Sequence, residues 1–430
     1  MLSVLFWCTV SCADREHSAS TAVFQSNNDK AGAQHSIETQ DLEPVETGAV
    51  RLLQNDELLS SIENKRVGLL SNPTGRVGNA HLVDTLLARN VNLTALFAPE
   101  HGFRGEAGAG EEIRDGVDVE SGLPVFSLYG SSRKPSPEML DEVDVIIFDM
   151  QDVGARFYTY ISTLGLLLEA VAEHPDAIEV IVLDRPNPLG GSYVSGWLAE
   201  PEHQSFVGAF PIPVVHGMTI GELAGMMLGE GWIPQAENVN LRVIEMQHWR
   251  REMIWPDTGL PWLAPSPNLP HYSTALMYPG TCFFEGSTLS EGRGTPDPFL
   301  QVGGPSLQLN DEAISALESR YAVQLDTLSF TPVSIPGVAA YPKHEGQLVR
   351  GVRISPLTLR PDELRPLEFG LELLRLMLQN APEAETKAFL YNLAGTQKID
   401  AFLSSDQHPG RSWQNDVETF REQRAPYLLY

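Results

Sequence analysis

Glu100 and His101 stand between Pro99 and Gly102 in Pro99-Glu100-His101-Gly102-Phe103-Arg104-Gly105, so a rigid turn holds a carboxylate beside an imidazole. A second group, Asp149-Met150-Gln151-Asp152, sets two carboxylates around an amide and continues through Val153-Gly154-Ala155-Arg156-Phe157-Tyr158-Thr159-Tyr160. A third runs from Phe284-Glu285-Gly286 to Ser290-Glu291-Gly292-Arg293-Gly294-Thr295 and adds two carboxylates and an arginine. Paired carboxylates with aromatic rings and amides suit glycoside hydrolysis, in which one carboxyl protonates the leaving oxygen and a second group activates water or attacks the sugar. Competing chemistries lack their motifs. There is no Gly-x-Gly-x-x-Gly after the first strand, no Gly-Lys-Ser/Thr P-loop and no Gly-x-Ser-x-Gly elbow, so dinucleotide redox, NTP hydrolysis and serine esterase chemistry lose their main support. No His-x-x-x-His pair or cysteine spacing suggests zinc, so neither metal nor cofactor is expected.

These groups follow aliphatic runs. Val67-Gly68-Leu69-Leu70, Val91 to Phe97, Val143 to Phe148 and Val180-Ile181-Val182-Leu183 read as buried strands, and Pro213-Val214-Val215 as a fifth. Between them, His81 to Arg89 and Tyr160 to Glu173 carry apolar residues on one helical face, and Thr219-Ile220-Gly221-Glu222 reads as a capping box opening a helix to Leu228. Alternating strands and helices predict an α/β fold with a parallel sheet, whose ligands bind beyond the carboxyl ends of the strands. That rule gathers Asn72, Glu100, His101, Asp149, Gln151, Asp152, Asn187 and His216 at one mouth. Each group also has a plainer reading: ordinary turn chemistry for Asn72-Pro73 and Asn187-Pro188, a structural ion pair for Asp184-Arg185, and a solvated turn for the loop from Glu285 to Thr295.

The chain has 430 residues, enough for two domains: 49–278 with the parallel sheet and its crossover helices, and 279–430 smaller, of mixed elements, with a helix from Leu367 to Gln379. With 29 Lys+Arg against 56 Asp+Glu, the net charge of −27 disfavours nucleic acid as a partner. Three cysteines, Cys8, Cys12 and Cys282, cannot make a disulfide framework. Residues 1–12 are apolar, lack a leading Lys or Arg, and resemble a secretory signal, with Val10-Ser11-Cys12 similar to a lipoprotein processing site that would lipidate Cys12. Polar, aperiodic residues 13–48 suit a disordered tether, and the expected location is the periplasm or outside the cell, either lipid-anchored through Cys12 or plainly secreted.

The five motifs in order, Asn72-Pro73-Thr74-Gly75, Pro99 to Gly105, Phe148 to Arg156, Asp184-Arg185-Pro186-Asn187-Pro188 and Phe284 to Thr295, resemble the DUF1343 family of NamZ-type exo-β-N-acetylmuramidases. The resemblance runs from about residue 50 to the closing Tyr427-Leu428-Leu429-Tyr430. It implies a nucleotide-free Rossmann-like domain, a smaller C-terminal domain completing a cleft, and release of N-acetylmuramic acid from the non-reducing end of peptidoglycan fragments. On this reading the partners are muramic-acid-containing saccharides or muropeptides. Glu100 matches the family's Pro-Glu-His-Gly glutamate and is the expected general acid, with Asp149, Asp152 or Glu285 as second carboxylate unless the substrate's own acetamide attacks. Arg104, Arg156 and Arg293 are candidates for the lactyl carboxylate. Gln151, Asn187 and His216 are candidates for the sugar hydroxyls, Tyr158 or Tyr160 for stacking under the ring, and Asn72, His101 and Glu291 complete the expected contacts. Ser287-Thr288 departs from an expected Thr-Asn, which leaves one amide contact open. The alternatives are a non-catalytic peptidoglycan-binding lipoprotein and an esterase or amidase on the same polymer.

Overall fold

A computed structural model describes residues 43–105, 113–130 and 132–430; the expected signal at 1–12, with Cys12, and residues 13–42 of the expected tether lie outside the described residues. Residues 43–48 are packed structure: Val45 and Thr47 are buried, and the amides of Val45 and Glu46 donate to the carbonyls of Thr258 and Gln247. Glu43–Tyr430 forms one compact unit.

Its main sheet contains β1 (Val67–Ser71), β2 (Leu93–Ala98), β3 (Gly116–Val117), β4 (Pro124–Ser127), β5 (Val145–Asp149), β6 (Glu179–Leu183) and β7 (Asn240–Ile244), in the order β3-β4-β2-β1-β5-β6-β7. Only the short β3 pairs antiparallel within it. Without that edge strand, the order is that of the dinucleotide-binding doubly wound fold, with the reversal between β1 and β5. β1 and β5 are buried throughout, which is why they read as unbroken aliphatic runs. Alternate residues serve opposite faces. Val145 and Ile147 pack with Leu52, Leu82 and Leu86 on one face, while Ile146 and Phe148 pack with Leu164, Leu168 and Leu223 on the other.

The helices Leu82–Ala88, Tyr160–Glu173 and Ile220–Gly229 form as their patterns predict, the last with the capping box of Thr219 and Glu222. The expected strand at Pro213-Val214-Val215 does not form: Val215 makes only isolated bridges to Ala155 and Ser195, and the sixth parallel strand is β7. β7 shows little aliphatic run because it is an edge strand with half-exposed residues.

In the C-terminal part, β8 (Gln301–Gly304), β9 (Val323–Phe330) and β10 (Val349–Pro356) form an antiparallel sheet in the order β8-β10-β9. Helix Pro366–Gln379 crosses Tyr272–Thr281 where Gly280 meets Gly370. A side chain on either glycine would run into the other helix's backbone, so the close crossing requires both.

The end of the chain returns to the main sheet. Asp184, after β6, accepts from the amides of Arg185 (3.0 Å) and Gly221 (2.8 Å) and from the hydroxyls of Thr219 (2.7 Å) and Tyr430 (2.8 Å). Burial pushes its carboxyl up to about 6 against the opposing pull of these donors. The native state therefore holds a proton that the unfolded chain releases. That stabilisation is full below about pH 4 and is lost as the pH rises through about 6. The stability difference between wild type and Asp184→Asn, from urea unfolding, is expected to shrink from pH 4 to pH 7; a constant difference would refute this.

Candidate active site

The crevice outside β1 and β5, where dinucleotides bind in sheets of this order, is occupied by the chain's own polar side chains. Asn72 Oδ1 accepts from the amide (2.9 Å) and hydroxyl (2.5 Å) of Thr74, whose hydroxyl oxygen accepts from the Gln151 amide at 3.0 Å. Beneath them Arg185 grips Asp149 through Nε (2.6 Å) and Nη2 (2.9 Å), with Asp149 wholly buried. Asp149 is therefore a structural anion and not the second catalytic carboxylate, and Arg185 pairs with it rather than with Asp184. The space left beside Gln151, Arg185 and Trp255 is about 180 Å³, below the roughly 300 Å³ where ligand pockets begin.

The larger cleft, about 760 Å³, lies beyond β2 and β4 and is walled on the other side by C-terminal loops. Glu100 lines it, two residues past β2. The Gly102 amide closes the turn onto the Pro99 carbonyl at 3.0 Å, and His101 is held at φ 73°, a left-handed conformation that only a tightly packed setting sustains in a non-glycine residue. Glu100 Oε2 accepts from the Thr159 hydroxyl at 2.8 Å, just ahead of helix Tyr160–Glu173. Tyr129, just past β4, also lines the cleft; burial, the Glu100 charge and their hydrogen bond push its phenol up to about 12, so it stays a donor at neutral pH.

The same lining holds Glu285, Glu291, Arg293 and Lys343. Arg293 donates to Glu285 through Nε (3.0 Å) and Nη2 (2.7 Å) and lies 3.8 Å from Glu291, while Lys343 lies 2.9 Å from Glu291. Burial works against the Arg293 charge, but Glu285 and Glu291 outweigh it and hold the guanidinium above its ordinary range. The third sequence group therefore belongs to the cleft wall. The departure at Ser287-Thr288 serves as a joint, since Thr288 exchanges hydrogen bonds with the backbone of Glu385.

Several expected contacts lie elsewhere. Arg104 is tied to Asp118 (2.6 Å), Asp84 (3.1 Å) and Glu120 (3.0 Å), which correct it from a lactyl ligand to the hub of an ion-pair cluster. Arg156 is buried and donates to the carbonyls of Trp197, Ile212 and Leu393 at 2.7, 2.7 and 2.9 Å; without a carboxylate beside it, burial lowers its guanidinium to about 9. It too is structural. Tyr160 donates to the Pro265 carbonyl and sits edge-on to Tyr158, and both rings are buried, so neither offers a face to a sugar in the cleft. Asn187 is used locally, donating to Met218 and accepting from Leu189.

His216 is fully buried, with Nε2 3.7 Å from Asp152. Asn72, Gln151, Asp152, Tyr158 and His216 each keep one buried polar atom without a hydrogen-bond partner among the described residues. Burial pushes the Tyr160 phenol well above its ordinary range, and the charges of Glu100 and Asp152 add to the rise.

Arg133, Phe206, Tyr341, Lys343 and Phe389 line the cleft but escaped the sequence reading. The strand-end rule would have reached Tyr129 and Arg133 had Pro124-Val125-Phe126-Ser127 been read as a strand, but it is short and begins with proline. The residues from the C-terminal loops follow no strand and leave no such signal. Among the described residues there is no metal-holding cluster of His, Cys, Asp or Glu and no helix long and apolar enough to cross a membrane. Cys282 is free and buried.

A doubly wound α/β scaffold with carboxylates on both walls of a saccharide-sized cleft defines a hydrolase of the glycosidase class. Residues 67–273 and 276–430 match the N- and C-terminal family models described as exo-β-N-acetylmuramidase NamZ. The chain belongs to the NamZ family. It is 40% identical over 397 residues, 90% of this chain and 91% of the other, to the peptidoglycan β-N-acetylmuramidase NamZ of Bacillus subtilis strain 168. Two crystal structures of DUF1343 family proteins from Bacteroides fragilis share the fold at TM-scores of 0.77 and 0.76, with 32% and 35% identity, each over 90% of this chain and 99% of theirs.

Proposed function

We infer that the chain is an exo-acting glycoside hydrolase that releases N-acetylmuramic acid from the non-reducing end of peptidoglycan fragments in cell-wall turnover. The observation that carries the catalytic assignment is Glu100 in the cleft lining, oriented by Thr159 and Tyr129 and sharing that lining with Glu285 and Glu291. Glu100 protonates the glycosidic oxygen as the bond to the anomeric carbon breaks, and the leaving sugar departs as a neutral alcohol. Glu285, set by its two bonds to Arg293, is the second carboxylate and meets the positive charge that develops on the ring. Asp152, His216, Asn72 and Gln151 are buried outside the cleft lining and keep polar atoms without a partner among the described residues.

The halves 49–278 and 279–430 are the two walls of this cleft, and the enzyme works outside the cytoplasmic membrane, attached through a lipidated Cys12. The apolar run before Cys12 and a cell-wall substrate support that placement. Mass spectrometry of the products from a defined muramic-acid-terminated disaccharide tests the function. Free N-acetylmuramic acid plus the second sugar is expected; acetate or peptide release, or binding without product, would overturn it.

A further inference from the structure

Three carboxylates (Glu100, Glu285, Glu291) and three cations (Arg133, Arg293, Lys343) line the cleft. Their pairing is uneven. Arg293 is committed to Glu285 and lies near Glu291, and Lys343 pairs with Glu291 while also donating to the carbonyls of Phe284 and Leu289. Arg133 has no carboxylate partner among the described residues. Its guanidinium carbon lies 4.2 Å from the centre of the Phe206 ring and 5.7 Å from that of Tyr129, which sets the cation on an aromatic ledge in the cleft lining. The same Tyr129 hydrogen-bonds Glu100, so this cation stands one ring away from the acid.

We propose that Arg133 is the specificity residue that receives the carboxylate of the substrate's lactyl ether, a group that distinguishes N-acetylmuramic acid from N-acetylglucosamine. The proposal rests on the muramidase reading above. Arg293 and Lys343 are balanced by Glu285 and Glu291, which leaves Arg133 as the cation of the lining that a monoanionic sugar can pair with. A planar guanidinium offers a carboxylate two parallel N–H donors, and stacking on Phe206 fixes its plane beforehand. Within a chain of net charge −27, such a local cation also supplies the attraction that the rest of the surface denies an anionic ligand.

The test compares a β-N-acetylmuramide with its lactyl methyl ester, which adds one methyl group and carries no charge, on wild type, Arg133→Met and Arg133→Lys. Wild type is expected to favour the acid by about 10- to 100-fold in kcat/KM, chiefly through KM. Arg133→Met should treat acid and ester alike within about two-fold, and Arg133→Lys should keep part of the preference. Arg133 is exposed, so the fold should survive, and hydrolysis of the ester by each variant reports that directly. An Arg133→Met enzyme that keeps the full preference for the acid overturns the proposal while leaving the muramidase reading intact. A wild type that hydrolyses neither substrate overturns the reading beneath it.

Discussion

Glu100→Gln is expected to lower kcat on a muramic-acid-terminated disaccharide about 1,000-fold, within the usual range for removing a general acid. The amide keeps the size of the side chain and can still meet Thr159, so the melting temperature should stay close to wild type. The loss should depend on the leaving group. A sugar alkoxide cannot depart without a proton, whereas a nitrophenolate can, so the same variant should lose only about 10-fold when cleavage of a nitrophenyl muramide is followed. Equal losses on both substrates would mean that Glu100 positions the sugar rather than protonating it. Undiminished turnover of the disaccharide would remove Glu100 from the mechanism altogether.

Arg185→Met should have the largest effect on stability, a loss of about 3–5 kcal/mol in urea unfolding, because it strands the Asp149 carboxylate, wholly buried at the end of β5, without its counter-ion. Adding Asp149→Asn should recover most of that loss, since the cost lies in the orphaned charge rather than in the missing pair. Two single variants each as stable as wild type would show that the pair carries no structural weight. Asp149 shares its register position with Ser71 of β1, so the damage should centre on the switch between the two halves of the sheet.

The central strands were legible in the sequence because burial on both faces demands unbroken aliphatic runs, as in Val145-Ile146-Ile147-Phe148. Strands at the margins were not. Pro124–Ser127 and Asn240–Ile244 mix polar and apolar residues because they are partly exposed, and Pro213-Val214-Val215 was apolar for burial in loops rather than in a sheet. The strand-end rule placed Glu100 on the cleft, and the loop from Glu285 to Arg293 supplied the facing wall. The rule could not tell a side chain facing the cleft from one turned into the core, which is why Arg156, Asn187 and Tyr160 were expected at the substrate and are found bonded to neighbouring residues. Arg104 fails differently: Asp84 and Asp118 come from separate segments, and only the fold brings them to it.

Arg156 also governs how the cleft can move. Its three acceptors join two parts of the chain that line the cleft: Trp197 and Ile212 flank the segment that carries Ser205, Phe206 and Val207, and Leu393 follows Asn392. Swinging the C-terminal segment away would strip the buried guanidinium of its Leu393 acceptor, at a cost of about 1.5–3 kcal/mol. The groove is thus braced open before any sugar arrives. Substrate capture becomes a single docking step whose observed rate climbs in proportion to concentration, with no plateau set by a closing lid.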